Sequence, residues 1–380
     1  MSKSIERIAL PVVSPGTARH LTVHRYGRPN ARPKAYLQAA VHADETPGML
    51  VQHHLIRLLD AADRNNQIKG GFIIVPVANP VGLGQWMNHH MAGRYELGGA
   101  GNFNRGWPDL FAGLPERVAG KLGSDSERNV ATVRRAMTEA INEMKPTTEL
   151  GGLRHAVCKL AHDADFVFDL HCDDDSLMHL FLIPQHWPDA ADLSAEIGSR
   201  ATMLAEDSGG RSFDESFSTP WTKLAAKVGP ATPVPAACLA CTIEYRGQAD
   251  TTDELAEADA RALFRFFQRR SLIEGDPGPP PTALCDATPL EGTDVLRSPV
   301  AGIVTYRRPL GAYIARNEIV AEIVDPLADD PLKTRTPVKA QTEGTLLSRR
   351  AHKMVRPGDS IAKVVGRERL AYRTGFLLED

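Results

Sequence analysis

The sequence predicts an α/β fold with helices packed on a sheet, followed by a small all-β domain. Apolar runs with strand character alternate with amphipathic helical patterns through the first 273 residues. A Pro- and Gly-rich stretch over residues 275–281 then changes the character of the chain, and short strands punctuated by Gly and Pro follow it. These three observations fix the predicted fold class.

The turn that follows the strand predicted over residues 35–41 carries two residues that can bind a metal ion. Residues 35–41 are apolar, and Thr46 and Pro47 are typical of the start of a helix. His42 and Glu45 therefore lie on a strand-to-helix turn, at the end of the strand where open α/β sheets bind ligands. Imidazole and carboxylate together suit zinc, although this spacing also occurs in pairs that cap a helix start. A His2Glu zinc site needs one more histidine downstream.

The next elements lead to a long loop. Helical spacing over residues 48–59 predicts a helix, with His53 and His54 as surface or edge residues rather than ligands. Residues 70–80 predict a second buried strand that stops at Asn79-Pro80. Residues 81–123 read as a loop rich in Gly, Asn, His and Arg, which favours a functional role. Two helices are expected after it, over 129–144 and 152–162.

A third predicted strand supplies the missing histidine. Residues 164–173 are apolar up to His171, so His171 and His42 reach the same edge of the sheet. Asp169 lies two residues back on the same face, where it either orients a ligand or is simply a charge at the sheet edge.

A fourth buried strand, over residues 238–247, ends in an acid. Glu244 is the candidate for a general base that activates water beside a metal ion. Before it we expect a strand over 176–184 and helices over 192–207 and 221–228; after it, a helix over 250–273 closes the first domain.

The five cysteines are an odd number and do not indicate a disulfide framework. Cys238 and Cys241 stand in an apolar run with no second pair, so buried thiols are favoured over a redox or zinc pair. Cys172, beside a histidine, is favoured as a packing residue over a nucleophile.

The predicted boundaries are a hydrolase domain over 1–274, a linker over 275–290 and a β domain over 291–380. The last part contains a weak duplication, in which Gly302 and the following Arg pair recur at Gly344, about 42 residues later. A pseudo-symmetric β-sandwich or barrel is expected.

Composition excludes several function classes. Lys plus Arg is 44 and Asp plus Glu is 47, which gives a net charge of -3 and no indication of binding to nucleic acid or an anionic membrane. The apolar fraction is 42%, and no segment reaches the roughly 18 apolar residues of a spanning helix. A cytoplasmic enzyme is the expectation.

The order of His42-x-x-Glu45, Asn104-Arg105, His171 and Glu244 resembles the succinylglutamate desuccinylase/aspartoacylase family, a branch of the zinc carboxypeptidase superfamily. The resemblance implies a mixed sheet flanked by helices. It also implies that the final domain is a barrel similar to biotinyl and lipoyl domains.

The resemblance further implies roles for individual residues. His42, Glu45 and His171 would bind one zinc ion per chain, and Glu244 would activate water. Arg94, Asn104 and Arg105 would line the pocket for a substrate carboxylate and carbonyl, with Arg105 also stabilising the oxyanion. The chain departs from the family pattern at Ala43, where glycine is usual, and in the distance of Arg94 from Asn104. It also lacks the tyrosine that carboxypeptidases place ahead of their catalytic glutamate, which favours an acylase.

The resulting hypothesis is a zinc-dependent amidohydrolase that deacylates a small-molecule N-acyl amino acid. One alternative is a metallocarboxypeptidase acting on peptides. The other is a non-catalytic zinc-binding or biotinyl-type carrier protein; its nearest modifiable lysine, Lys353, lacks the flanking Met on its first side. The β domain would either cover the pocket mouth or form a homo-oligomer.

Overall fold

The structure of the protein, a computed structural model, describes residues 2–378. Residues 2–292 contain helices and strands that alternate along the chain. The strands are β1 Ser4–Ala9, β2 His20–Tyr26, β3 Lys34–Ala39, β4 Gly71–Val75, β5 Trp86–Met87, β6 His90–Met91, β7 Tyr95–Glu96, β8 Gly101–Asn102, β9 Phe166–Asp173, β10 Asp175–Ser176, β11 His179–Leu182, β12 Ala201–Leu204, β13 Leu239–Gly247 and β14 Ala287–Pro289. The helices are α1 Pro47–Arg64, α2 Pro80–Leu83, α3 Leu114–Val118, α4 Ser126–Glu143, α5 Glu149–Ala161, α6 Ala191–Glu196, α7 Glu215–Val228 and α8 Asp253–Arg269.

One large mixed sheet organises this part. Within the described residues its strand order is β1-β2-β4-β3-β9-β13-β11-β12-β14. The central strands β4, β3, β9 and β13 run parallel, whereas β1 and β2 pair antiparallel with their neighbours. Strand β11 is antiparallel to β13 and parallel to β12. Because β3, β9 and β13 are adjacent and parallel, their carboxyl ends meet at one edge of the sheet.

Both faces of the sheet are covered by apolar side chains. On one face, helix α8 contributes Phe266 and Phe267, which contact Phe168 of β9 at ring-centroid distances of 5.6 and 5.8 Å. Helix α1 packs on the same face, and the cluster there includes Leu55 and Leu59. The mixed α/β fold that the sequence predicts is confirmed.

Two predicted elements are wrong in this part. The predicted helix over 192–207 ends at Glu196, because Gly198 adopts φ +67° and residues 201–204 pair with β11 as strand β12. The predicted loop over 81–123 contains two short helices and two small hairpins, β5–β6 and β7–β8.

Side-chain environments agree with the predictions at the cysteines and differ at one histidine. All five cysteines are free thiols, and Cys172, Cys238 and Cys241 are buried. His53 is exposed as predicted, but His54 is buried, with Nε2 2.9 Å from Oδ1 of Asp253 on α8. The prediction of a surface or edge position for His54 is wrong because α8 packs against α1.

The remaining strands form two smaller sheets. They are β15 Thr293–Arg297, β16 Gly302–Tyr306, β17 Tyr313–Ile314, β18 Ile319–Val324, β19 Arg335–Lys339, β20 Gly344–Arg349, β21 Met354–Val355 and β22 Ser360–Val365. Among the described residues one sheet has the order β10-β20-β22-β15, with β17 on β20, and the other the order β19-β18-β16-β21.

The duplication in the sequence corresponds to equivalent strands. Gly302 and Gly344 begin β16 and β20 with φ values of 153° and 154°. Strand β16 pairs with β21 of the second repeat, and β20 pairs with β17 of the first, so each repeat completes a sheet of the other. Strand β14, inside the predicted linker, adds to the large sheet; the domain boundaries stay a prediction.

Candidate metal centre

The turn after β3 is held by the long loop. Ala40 has φ +61°, so the strand ends there and the chain turns toward α1. The N–H of Ala43 donates to the carbonyl of Gly93 at 3.0 Å. A Cβ on Gly93 would lie 2.4 Å from the backbone nitrogen of Asp44, so this close approach requires glycine. The turn that carries His42 therefore packs directly against the segment that carries Arg94.

Three buried side chains meet at the sheet edge. Oε1 of Glu45 lies 2.8 Å from Nδ1 of His42, and Oε2 lies 2.7 Å from Nδ1 of His171. Within the part of the chain that the structure describes, these three are the His/Cys/Asp/Glu group whose ligand atoms all lie within 4.8 Å of one another. The structure thus brings together the residues that the sequence predicts as ligands.

The outer nitrogen of His42 is a donor. Nε2 lies 2.8 Å from Oδ1 of Asn102, and that oxygen also accepts the backbone N–H of Asn104 at 2.8 Å. Since an amide oxygen only accepts, Nε2 of His42 carries the hydrogen and Nδ1 carries the lone pair. Arg94 donates to this Nδ1 at 3.2 Å, in agreement with that tautomer.

The outer nitrogen of His171 is fixed in the same way. Nε2 donates to Oδ2 of Asp169 at 2.7 Å, and the other oxygen of Asp169 accepts from Nε2 of Gln38 at 3.0 Å. Gln38 is in turn held by the hydroxyl of Tyr36, which donates to its Oε1 at 2.7 Å. A chain of buried polar groups on β3 and β9 therefore orients this imidazole.

These contacts make a donor set that fits zinc. Both imidazoles direct Nδ1 at the Glu45 carboxylate. Two nitrogen lone pairs and a negative charge therefore meet at one buried point, and a cation bound there would stabilise them. Burial lowers the pKa of His42. For His171, burial is outweighed by the carboxylates of Asp169 and Glu45, which raise its pKa, so protons and a metal compete for Nδ1.

Glu244 lies at the same edge. It is opposite His171 in the register of β13 and β9, and Arg246, two residues on, ends the regular pairing at φ +61°. Its Oε2 is buried and has no hydrogen-bond partner among the described residues. Burial raises the pKa of Glu244 to about 8; the His171 charge lowers it and Glu45 raises it further. An unpaired carboxyl group of this kind in a cleft is typical of functional sites.

The predicted substrate residues line the same pocket. Arg94 Nη1 lies 3.1 Å from Oε1 of Glu45. Asn104 is buried, and its Oδ1 accepts the N–H of Phe213 at 2.9 Å. Arg105 donates from Nη1 to the carbonyl of Asn104 at 2.9 Å. Their positions fit the predicted roles, which remain predictions.

The pocket is closed on one side by the C-terminal strands. It has a volume of about 1170 Å³ and is lined there by Arg349, Arg350 and Lys363, among others. Lys363 on β22 pairs with Asp173, two residues after His171, at 2.5 Å. The volume exceeds what one small acyl amino acid needs, so the cavity includes an approach to the metal centre.

Sequence reasoning missed three residues that complete this site. Gln38 had a usable signal, because a polar side chain inside an apolar strand is buried and needs a partner. Asn102 had no local signal, because it ends the two-residue strand β8 and a turn separates it from Asn104. Lys363 had no local signal, because its partner lies far away along the chain.

Comparisons with known proteins identify the family of the catalytic domain. Residues 31–270 match the succinylglutamate desuccinylase/aspartoacylase catalytic domain. No curated protein matches the chain by sequence.

Solved structures share the fold. A protein of the succinylglutamate desuccinylase/aspartoacylase type from Shewanella frigidimarina is similar with a TM-score of 0.83 and 22% identity, over 96% of this chain and 98% of its own. The product-bound ectoine utilization protein EutE (DoeB) from Ruegeria pomeroyi is similar with a TM-score of 0.67 and 16% identity, over 96% and 95%. Since the family domain covers most of the chain, this protein belongs to the succinylglutamate desuccinylase/aspartoacylase family.

Proposed function

We propose that the protein is a zinc-dependent hydrolase that cleaves the amide bond of a small N-acyl amino acid. The observation that carries the proposal is the pair of imidazoles, His42 and His171, fixed with Nδ1 toward Glu45 beside the unpaired carboxyl group of Glu244. Family membership supports an acyl-amino-acid deacylase.

His42, Glu45 and His171 would hold the zinc ion. Zinc in such a site acts as a Lewis acid and lowers the pKa of water toward about 7. Asn102 and Asp169 keep both imidazoles in the required tautomer, so the ligand set is organised before a metal arrives.

Glu244 is the group that moves the proton. Its carboxylate takes a proton from the attacking water and returns it to the nitrogen of the leaving amine. Burial raises the pKa of Glu244 above that of an ordinary glutamate, which makes its carboxylate a stronger base. No hydrogen bond among the described residues ties down its Oε2.

Arg94, Asn104 and Arg105 would recognise the substrate. A guanidinium group binds a carboxylate through two parallel charge-assisted hydrogen bonds, which gives direction as well as affinity. Arg94 lies beside Glu45 and suits the carbonyl that becomes the oxyanion. Arg105 also lines the pocket and suits the free carboxylate, although either arginine can serve the oxyanion.

The C-terminal strands would form a biotinyl/lipoyl-like barrel domain over 291–380 that restricts the pocket. The contacts of Lys363 with Asp173, and of Arg349 with Asp175 at 2.8 Å, hold these strands against the site and support exclusion of long peptides. The carrier alternative is disfavoured at Lys353. Its ammonium group donates to the carbonyl of Arg350 and lies 4.9 Å from the ring of Tyr306.

Hydrolysis of a panel of N-acetyl, N-succinyl and N-aspartyl amino acids by the zinc-loaded protein tests the proposal. We expect turnover of at least one free-carboxylate substrate and little release of the C-terminal residue from long peptides. Efficient cleavage of long peptides would instead assign the protein to the metallocarboxypeptidases. No hydrolysis of any substrate would contradict both.

A further inference from the structure

Residues 370–378, which we name the strap, leave the C-terminal sheets and cross to the pocket. The backbone N–H of Leu370 donates to the carbonyl of Glu291 at 3.0 Å. The hydroxyl of Tyr372 donates to Oδ1 of Asp294 on β15 at 2.6 Å. The beginning of the strap is therefore anchored to the C-terminal strands.

The other end of the strap holds residues 206–212, which we name the glycine loop. The N–H of Leu377 donates to the carbonyl of Ser208 at 2.8 Å, and its side chain is buried. The ring of Phe376 covers Gly209, since a Cβ on that glycine would lie 3.0 Å from Cα and 3.2 Å from Cδ1 of Phe376. The strap thus fixes both the backbone and the face of the glycine loop.

The glycine loop in turn holds the segment that carries Arg105. The N–H of Gly106 donates to the carbonyl of Gly210 at 2.8 Å, and the N–H of Trp107 donates to the carbonyl of Arg211 at 3.2 Å. Gly209, Gly210 and Arg211 have φ values of +86°, +80° and +52°, a run that no helix or strand stabilises. The N–H of Gly209 donates to Oδ1 of Asp207 within the loop, and the N–H of Ser208 donates to Oε1 of Glu215 outside it. The strap adds further outside contacts that keep the loop in place.

Arg105 and Phe376 share the space above one glycine. A Cβ on Gly210 would lie 2.7 Å from Cδ of Arg105 and 3.1 Å from Cε1 of Phe376. The arginine side chain is thus supported on the glycine loop, on the same surface that the phenylalanine ring covers.

We infer that Phe376 and Leu377 are positioning residues, which set substrate recognition by holding the glycine loop under Arg105. The inference rests on the proposed function, in which Arg105 recognises the substrate carboxylate. The phenylalanine is suited to this role because it is 70% exposed, so its ring contributes little to the core. The ring packs on the glycine loop rather than in the core, so its main structural effect is to hold that loop.

The test compares Phe376→Ala, Arg105→Ala and the double variant on a free-carboxylate substrate and its amide. We expect Phe376→Ala to lower kcat/KM for the carboxylate by about tenfold, and for the amide much less, because a misplaced guanidinium loses its directional contact. In the Arg105→Ala background the same change should have little further effect. Phe376→Leu should restore most of the preference, and Tyr313→Ala, at another exposed aromatic residue of the C-terminal strands, is the matched control.

Amide hydrogen exchange gives a readout that does not depend on turnover. Phe376→Ala and Leu377→Ala should both speed exchange at Gly106 and Trp107, whose N–H groups are bonded to the glycine loop. Unchanged exchange and unchanged substrate preference in both variants would overturn the inference, as would additive effects of Phe376→Ala and Arg105→Ala. If Arg105→Ala itself left the preference unchanged while exchange rose in the strap variants, the substrate role of Arg105 would fail, and this inference with it.

Discussion

His42 and His171 each direct Nε2 to an oxygen acceptor, on Asn102 and Asp169 respectively, and Nδ1 toward Glu45. This arrangement supports the proposal that both imidazoles are metal ligands. The closeness of Nδ1 to a carboxylate oxygen, 2.8 Å for His42 and 2.7 Å for His171, needs a cation or a proton between them.

We predict that His42→Ala and His171→Ala each abolish most metal binding, because either change removes one of the three protein ligands of a catalytic zinc site. Metal analysis of the purified variants should show close to no zinc, against about one zinc per chain in the unaltered protein. His53→Ala, at an exposed histidine on α1, is the control and should retain the metal. Full zinc content in either ligand variant would mean that the ligand set is different.

Glu244→Gln tests the base directly. Glutamine keeps the shape of the side chain and cannot accept the proton, so turnover should fall by about a hundredfold or more while zinc content and fold remain. Steady-state kinetics and metal analysis on one sample would decide it. Turnover within a few fold of the unaltered enzyme would show that Glu244 is a structural acid.

At the scale of elements, the close packing of α1 on the sheet determines where Glu45 lies. A Cβ on Gly48, in the first turn of α1, would lie 2.8 Å from the carbonyl oxygen and 2.9 Å from Cβ of Leu170. Leu170 directly precedes His171, so the helix start and one ligand strand meet at this glycine.

Gly48→Ala should therefore destabilise the protein by about 1–3 kcal/mol, because overpacking outweighs the helix propensity gained. It should also weaken zinc binding, since α1 must move away from β9. Gly123→Ala is the matched control, because a Cβ there meets nothing within 4 Å and its φ is not positive. Chemical denaturation and zinc titration of both variants would check this, and equal stability of the two would contradict the packing argument.

The sequence predicted the elements whose signals are local. Apolar runs ending in a polar residue gave β3, β9 and β13, and with them the positions of His42, His171 and Glu244 at one edge. The prediction of a helix over 192–207 is wrong because strand β12 is stabilised by pairing with β11. Such pairing between separate segments produces no periodic pattern in the local sequence. Each strand of the two hairpins in the long loop has only two residues. Such strands are too short for an alternating polar and apolar pattern to be recognised.

At the scale of the whole molecule, the pocket is built from parts distant in the chain. The α/β part supplies the candidate metal centre and Glu244, while Lys363 and Arg349 reach the pocket from the C-terminal strands. The duplication was visible in the sequence. The pairing of β16 with β21 and of β17 with β20 was not, and neither was the docking of the repeats against Asp173 and Asp175. Contacts between distant surfaces leave no pattern in either segment.

None of the helices among residues 2–378 is both long and apolar enough to cross a membrane.

The central claim, that amide hydrolysis depends on the metal held by His42, Glu45 and His171, is tested most directly by one titration. Turnover of the best N-acyl amino acid is measured after removal of metal with a chelator and then during stepwise return of zinc. The proposed site predicts almost no turnover without metal and full recovery at about one zinc per chain. Full turnover by the metal-free protein would contradict it.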